Sequence, residues 1–378
     1  MNFSISTINF LLVLLALLIT SVAPASEKNA NTYSSVRTCV KKAQQKSLLY
    51  WQNANASFAN CSSLNDELSL GRKSEVFSTE TDQVALALHT VSNCFNIPYQ
   101  SVFAKFYAES GLQSNIVGKS KDAGFGQLTS LAIKDVQDNS HIFWRQIQYS
   151  KNPFCQDLKD KIKSVGYKNF FHFPAKQKCQ VIYDDIGILR NIFFSFALHK
   201  LNFAYVTKSF KKFHISEKLS KSGLVNPPID KMIQMLTLLS YNNGGDSSVA
   251  DLSRFLDSRI DFIKRKDKEP RAKNLTSNQQ AQFIGEVNYQ DFNFRTGSEK
   301  FSQLVADIVF KFPDKKMDLV FQSKELRNTS ASKLGFPEWL RIWQSNGGPG
   351  YMNGIFLKSE DLKKSGLSDC INDVIFNL

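Results

Sequence analysis

The sequence predicts a mainly α-helical fold, and three observations support this. Apolar residues recur at helical spacing in several long segments, for example at Val84, Leu88 and Val91. Glycines stand where such segments end, as at Gly111. Stretches that alternate strictly between apolar and polar residues, the pattern of half-buried strands, are scarce. We therefore expect helices to form the core, with a small glycine-rich hairpin beside them.

The chain opens on an apolar segment without charged side chains. Residues 10–20 form an uninterrupted apolar run up to its final Thr, and the small-residue sequence APA follows at 23–25. This pattern predicts a secretory signal peptide over residues 1–25. Because no Lys or Arg precedes the run, an uncleaved membrane anchor is the alternative. We expect export to the periplasm or the medium, with no stable membrane insertion after cleavage.

The remaining chain divides into a short polar region and a long apolar one. Residues 26–80 are polar and carry two cysteines, which predicts a small helical N-terminal extension held by disulfides. Residues 81–378 then form the main domain, with a basic insertion around 251–335. Within the insertion, residues 261–280 are rich in charge and broken by Pro270. They predict an exposed basic arm or lid, or simply a solvated surface stretch.

The clearest helix covers residues 97–110. Pro98 suits a first helical turn, and Gly111 suits the left-handed residue that ends a helix. Four apolar side chains share one face of this helix: Val102, Phe103, Phe106 and Tyr107.

Further elements follow in order along the chain. Three glycines at 118–130 predict a tight turn or a small hairpin. Residues 184–206 and 230–245 predict apolar, buried helices, the second capped by Asp230 and stopped by Gly244 and Gly245. Two later segments complete the prediction: a helix at 299–312 and a glycine-rich turn at 343–356.

Six cysteines follow the signal segment, an even number that predicts three disulfides in an oxidising compartment. They are Cys39, Cys61, Cys94, Cys155, Cys179 and Cys370. Fifteen pairings are possible, and the sequence does not choose among them. The chain has no CxxC, and its five His residues are scattered and form no zinc-like pattern with the cysteines. We therefore expect neither a metal nor a cofactor.

One carboxylate, Glu109, occupies an unfavourable place. It lies at the carboxyl end of the helix that Gly111 stops, where the helix carries partial negative charge. Burial against Phe and Tyr neighbours would raise its pKa in the same direction. A glutamic acid that stays protonated near neutral pH is what a general acid must be. The alternatives are a solvent-facing side chain or a simple ion pair with Lys105, four residues earlier.

Three short stretches occur in a suggestive order: ESG at 109–111, GFGQL at 124–128 and SYNNGG at 240–245. Together they resemble the soluble lytic transglycosylases, lysozyme-like proteins related to goose-type lysozyme. In that family a catalytic Glu ends a helix in ESG, and a Gln lies as far along the chain as Gln127 lies from Glu109. The resemblance covers about residues 85–246 and implies an α+β lysozyme-like catalytic domain.

The sequence also departs from the family pattern. Gly126 stands where the family usually has Met, and Lys121 and Asp122 replace the usual Gly-Ala. Residues 247–346 have no counterpart that can be aligned. The substrate preference can therefore differ from that of the family.

The resemblance implies that Glu109 acts first as acid and then as base. In the family, the acid cleaves the β-1,4 bond between N-acetylmuramic acid and N-acetylglucosamine, and the sugar's own 6-hydroxyl closes a 1,6-anhydro end. Most glycoside hydrolases instead use two carboxylates. Asp122 is the candidate second carboxylate, which would make the protein a goose-type-like muramidase acting on plain or modified peptidoglycan. Otherwise Asp122 is a loop residue beside Lys119 or Lys121.

Four residues are implied as substrate-binding groups: Ser110, Gln127, Tyr241 and Asn242. Each has a purely structural alternative. Ser110 could cap the helix backbone, Gln127 could be satisfied within the hairpin, and Tyr241 and Asn242 could belong to a turn after a buried helix. Three aromatic residues are candidates for a sugar platform or for the core: Phe125, Trp144 and Trp343.

The net charge of +13 predicts polyanionic partners. Peptidoglycan glycan strands and anionic wall polymers fit an exported protein. A nucleic-acid binder is not expected, because the chain has no recognisable binding module and carries an export signal. A non-catalytic wall-binding module on the same fold is the remaining alternative, against which the intact Glu109 argues.

Overall fold

The computed structural model shows a protein that is mainly helical, as predicted. It describes residues 32–53, 59–61, 68–69, 77–113, 116–117, 122, 124–172, 186–223, 228–265, 336, 340 and 351–372. The predicted signal peptide, the predicted helix at 299–312 and most of the basic insertion lie outside these residues. No helix in the described ranges is long and apolar enough to cross a membrane.

The first part of the chain combines helices with a small sheet. Its elements are α1 (Tyr33–Asn53), β1 (Ala59–Cys61), β2 (Leu68–Ser69), α2 (Phe77–Phe95), α3 (Gln100–Ser110) and β3 (Ile116–Val117). The strands form one antiparallel sheet of order β2-β1-β3, in which Asn60 pairs with both Ser69 and Ile116. The extension is therefore not purely helical. Strands of two or three residues are too short to show alternation in the sequence.

Further helices follow in the part of the chain that the structure describes. They are α4 (Ser130–Asp138), α5 (Ser140–Tyr149), α6 (Pro153–Val165), α7 (Tyr167–Phe171), α8 (Gly187–Lys212), α9 (Ile215–Ser222), α10 (Ile229–Asn243), α11 (Gly245–Arg265) and α12 (Tyr351–Lys364). A 3₁₀ turn over Ser368–Cys370 ends the described chain.

The chain forms two compact units. The first comprises residues 1–201 and 358–373, and the second residues 202–357 and 374–378. No division falls near residue 80, because α1 packs directly on α2. The predicted N-terminal extension is thus part of the first unit.

Aromatic rings fill the core of the first unit. Phe193 of α8 contacts Phe95, Phe143 and Phe170, with ring centroids 5.2, 6.1 and 5.3 Å away. All four side chains are buried. Edge-to-face and tilted arrangements of this kind stabilise a core beyond the area that they bury. The helices α2, α5, α7 and α8 therefore meet in one aromatic cluster.

Among the described cysteines two disulfides are formed, which confirms part of the predicted framework. Cys39 pairs with Cys370 across 331 residues, and Cys94 pairs with Cys155. The first links α1 to the end of the described chain, and the second links α2 to α6. Crosslinks that close long loops reduce the conformational freedom of the unfolded chain. The side chain of Cys61, and Cys179 as a whole, lie outside the described residues.

In the second unit, α9 and α10 pack against α11. Residue 228, a proline, precedes α10 as its N-cap, so Asp230 lies in the first turn instead of capping the helix as predicted. The start of the predicted basic insertion, near residue 251, lies within α11, which continues to Arg265 and buries Val249, Leu252 and Phe255.

A second correction concerns residues 351–356. They were predicted as part of a glycine-rich turn with 343–350, but they form the first turns of α12. Met352, Ile355 and Phe356 are buried, at the i, i+3, i+4 spacing of a helix face. Residues 343–350 lie outside the described ranges.

Candidate active site

Helix α3 ends where the sequence predicted. Gly111 is left-handed, with φ of 63°, and its N–H donates to the Tyr107 carbonyl at 2.9 Å. A left-handed residue with this bond is a common way to close a helix, and glycine adopts it without steric cost. The predicted apolar face is buried: Val102, Phe103, Phe106 and Tyr107 are at most 6% exposed.

The residue after Gly111 is held in an unfavourable conformation. Leu112 has φ of 62° and is fully buried. Its carbonyl accepts a 2.8 Å hydrogen bond from the Gln44 amide of α1, and the Thr81 hydroxyl of α2 donates to Gln44 at 2.6 Å. Non-glycine residues with positive φ persist only where surrounding structure fixes them, and they occur often at functional sites. Here α1 and α2 fix the chain just after Glu109.

Ser110 joins the end of α3 to the glycine-rich segment. Its hydroxyl lies 3.2 Å from the Phe106 carbonyl and 2.8 Å from the Phe125 carbonyl, in donor geometry to both. The side chain is fully buried. These contacts favour the structural alternative for Ser110, in which it holds backbone and does not touch substrate.

The segment predicted as a tight turn forms one at Gly124–Gln127. The Gln127 N–H donates to the Gly124 carbonyl at 3.0 Å, and its side-chain amide donates to the same carbonyl at 2.8 Å. Gly124 has φ of 75°, and a Cβ there would lie 2.3 Å from Asn191 Nδ2 of α8. The Phe125 ring packs 4.6 Å from that of Phe106. The turn is thus fixed against both α3 and α8.

The Glu109 side chain is 22% exposed, so its carboxyl group has access to solvent at the end of α3. Its Oε1 lies 3.9 Å from Nζ of Lys105, one helical turn earlier. The Lys105 side chain is completely buried, and burial lowers its pKa well below the usual value, against the raising effect of Glu109. The two groups therefore form an interacting pair, in which the Lys105 side chain is out of contact with solvent and the Glu109 side chain is partly exposed.

Ser110 therefore joins the end of α3, where Glu109 stands, to the turn that carries Gln127. Asp122 is half-buried, but residues 118–121 and 123 lie outside the described ranges. Tyr241 is half-buried and Asn242 is exposed at the end of α10, in the second unit.

The three aromatic candidates for a sugar platform have different positions. Phe125 is fully buried in the core. Trp144 is half-buried and lies 5.8 Å from the Tyr167 ring. Trp343 lies outside the described residues.

The sequence did not reveal the burial of Lys105 or the support from Gln44. A signal for Lys105 was present, since it stands between Val102 and Phe106 on an apolar helix face. A lysine inside an apolar stripe is a candidate for burial. Gln44 gave no such signal, because its contact with Leu112 joins segments far apart in sequence.

The arrangement offers one partly solvated carboxyl group on a rigid, buried support. Among the residues that the structure describes, no cluster of His, Cys, Asp and Glu could hold a metal ion. No family model, curated protein or solved structure was found to match this chain.

Proposed function

We propose that this protein is an exported glycosidase that cleaves the β-1,4 bond between N-acetylmuramic acid and N-acetylglucosamine in peptidoglycan, acting as a lytic transglycosylase. The observation that carries the proposal is the Glu109 carboxyl, 22% exposed at the end of a buried helix with a fixed backbone. The resemblance of ESG, GFGQL and SYNNGG to the lysozyme-like transglycosylases supports the same assignment.

The proposed reaction needs one carboxyl group. Glu109 gives its proton to the bridging oxygen, the bond from that oxygen to the muramic C1 breaks, and positive charge develops at C1. The 6-hydroxyl of the same sugar then bonds to C1, and its proton passes to Glu109. The carboxyl ends as it began, and the glycan ends in a 1,6-anhydro ring. General acid and base catalysis of this kind contributes about 10²–10⁴-fold in rate.

The chain around Glu109 suits this role. A carboxyl that acts twice must keep its place between the two steps, since a small displacement from the reacting geometry lowers the rate strongly. Ser110 and Gly111 hold the helix end, and Gln44 holds the carbonyl of Leu112 just beyond it. In this proposal the turn at Gly124–Gln127 borders the scissile sugar.

The charge of the protein supports a polyanionic target. Many of the described lysines are exposed, for example Lys134 and Lys221. Positive surface charge raises the local concentration of an anionic polymer and speeds its encounter with the protein. We therefore expect binding to glycan strands to weaken as salt rises.

Digestion of purified peptidoglycan sacculi tests the proposal. The wild-type protein should release soluble fragments whose masses show 1,6-anhydro ends. The variant Glu109→Gln should release at least about 100-fold less, because the amide cannot donate the proton. Full release by Glu109→Gln would refute the assignment.

Product chemistry separates the alternatives. Reducing ends in place of anhydro ends, together with loss of release in Asp122→Asn, would identify a two-carboxylate hydrolase. Binding of sacculi without release, in a correctly folded wild-type protein, would identify a wall-binding module. Asp138→Asn is a matched surface control, since Asp138 is an exposed acid and lies in another helix.

A further inference from the structure

A buried amine lies beside the carboxyl of the candidate site. Lys105 and Glu109 are four residues apart in α3, so their side chains lie on neighbouring turns of the same face. Nζ of Lys105 is 3.9 Å from Oε1 of Glu109 and 4.9 Å from the centre of the Phe106 ring. The amine is inside the protein, whereas the carboxyl keeps some contact with water.

The two groups cannot titrate independently at this distance. A positive charge on the amine stabilises the carboxylate, and a negative charge on the carboxylate stabilises the ammonium. Removal from water opposes the charge on Lys105, and the end of the helix opposes the charge on Glu109. The proton content of each group therefore depends on that of the other.

Other titratable groups of the described residues also lie near α3. His199 of α8 is buried, and burial together with the charge of Lys105 lowers its pKa to about 3, so it is neutral near pH 7. Lys358 of α12 lies 5.9 Å from the Tyr107 ring. Asp369 of the 3₁₀ turn acts on Tyr99, at the opposite end of α3.

We propose that Lys105 is a positioning residue for the acid at Glu109: the buried amine competes with the carboxyl for a proton and so sets the pH above which the acid is no longer available. The inference rests on the proposed function, because it assigns a role within the same reaction. Once Glu109 has given its proton to the bridging oxygen, a positive charge on Lys105 stabilises the carboxylate until the 6-hydroxyl proton returns.

Because Lys105 and Glu109 compete for a proton, the direction in which the pH–activity profile shifts can be predicted. When Lys105 carries the proton, Glu109 is stabilised as carboxylate and cannot act as an acid. Replacing the amine by an apolar side chain removes the competitor, so Glu109 keeps its proton to higher pH. Lys105→Met should therefore move the descending limb of the pH–activity profile on peptidoglycan upward by about one pH unit or more, as expected for the loss of an opposite charge within 4–6 Å.

Lys200 provides a matched control. It is also a largely buried amine, with a pKa lowered by burial to about 8, but its ammonium donates to Gln146 at 3.1 Å and lies 5.4 Å from the Phe95 ring. Lys200→Met should leave the descending limb where it is in the wild type. A Lys105→Met profile that coincides with the wild-type profile would overturn the proposal, and equal shifts in both variants would do the same.

A readout without activity separates this inference from the proposed function. The titration of Lys105 can be followed by NMR from its side-chain ¹³C and ¹⁵N signals in the wild type and in Glu109→Gln. Loss of the carboxylate should move the Lys105 titration to lower pH, whereas an unchanged titration would contradict the coupling. If sacculi are not cleaved but the titration moves, the proposed function fails while the coupled pair stands. This measurement also remains decisive if Lys105→Met does not fold.

Discussion

The carboxyl ends of α3 and α4 carry the same sequence feature in two different surroundings. In α3, Lys105 precedes Glu109 by four residues, and in α4, Lys134 precedes Asp138 by four. The α3 pair is 3.9 Å apart with side chains 0% and 22% exposed. The α4 pair is 2.5 Å apart with side chains 62% and 57% exposed.

The two lysines respond in opposite directions. The hydrogen bond to Asp138 raises the pKa of Lys134, and the nearby negative charge adds to this. Burial lowers the pKa of Lys105, although its carboxylate partner acts to raise it. An i, i+4 pair on the surface is screened by water and contributes little. The same spacing in α3 places the lysine out of water, where burial and the carboxylate act on its pKa in opposite directions.

The largest loss in the free energy of unfolding is expected when the turn that supports the end of α3 is changed. Gly124→Ala would strain a residue with positive φ and drive a methyl group into Asn191, so we expect a loss of about 3 kcal/mol or more. Gly223→Ala is the control, because Gly223 also has positive φ but has nothing within 4 Å of the added carbon. It should cost only about 1 kcal/mol. Equal losses in denaturant unfolding would show that Asn191 does not hold the turn.

The second largest effect should come from removing the acid of each pair, which should destabilise the protein in α3 but not in α4. Glu109→Gln leaves Lys105 buried without that carboxylate, and we expect a loss of about 2 kcal/mol. This is less than for a fully buried pair, because Lys105 can release its proton. Asp138→Asn should leave unfolding unchanged within error. Hydrogen exchange of the α3 and α4 amides measures each helix locally, and similar protection in both variants would abolish the contrast.

Removing Lys105 should raise the free energy of unfolding, and the size of the increase should depend on pH. The pKa of Lys105 is lower in the folded state, so the cost of burying it is complete below that value and disappears as pH approaches about 10.4. Lys105→Met should therefore raise the free energy of unfolding by about 1–2 kcal/mol near neutral pH and by less at about pH 10. Lys134→Met is the exposed control. If the increase in the free energy of unfolding of Lys105→Met does not vary with pH, it would come from better packing alone.

The smallest effect concerns the hydroxyl that ties α3 to the turn. Ser110→Ala removes a buried donor to the Phe125 carbonyl and should cost about 1 kcal/mol. Ser220 is exposed and donates only locally, to the Glu217 carbonyl, so Ser220→Ala should change nothing measurable. If Ser110→Ala were equally silent in unfolding yet reduced cleavage of sacculi, a direct role in substrate binding would be favoured.

Local sequence patterns predicted much of the region around Glu109. The apolar spacing of Val102, Phe103 and Phe106 predicted the buried face of α3, and Gly111 predicted its end. The even number of cysteines predicted disulfides but not the pairing of Cys39 with Cys370, because connectivity depends on which segments meet in space. The strands were missed because two or three residues are too short to show alternation, and the start of α12 was missed because packing overrode local composition.

The sequence by itself determined where α2, α3, α8 and α10 lie, which face of α3 is buried and that Glu109 stands at a helix end. These features depend on residues within a few turns of each other, so apolar periodicity and the glycines that end helices suffice to predict them. Only the tertiary structure decided that Lys105 is inside while Lys134 is in water, that Ser110 reaches the Phe125 carbonyl and that Gln44 holds Leu112. Burial is a property of what distant segments place around a side chain, and it is burial that gives the same lysine–acid spacing opposite electrostatic consequences.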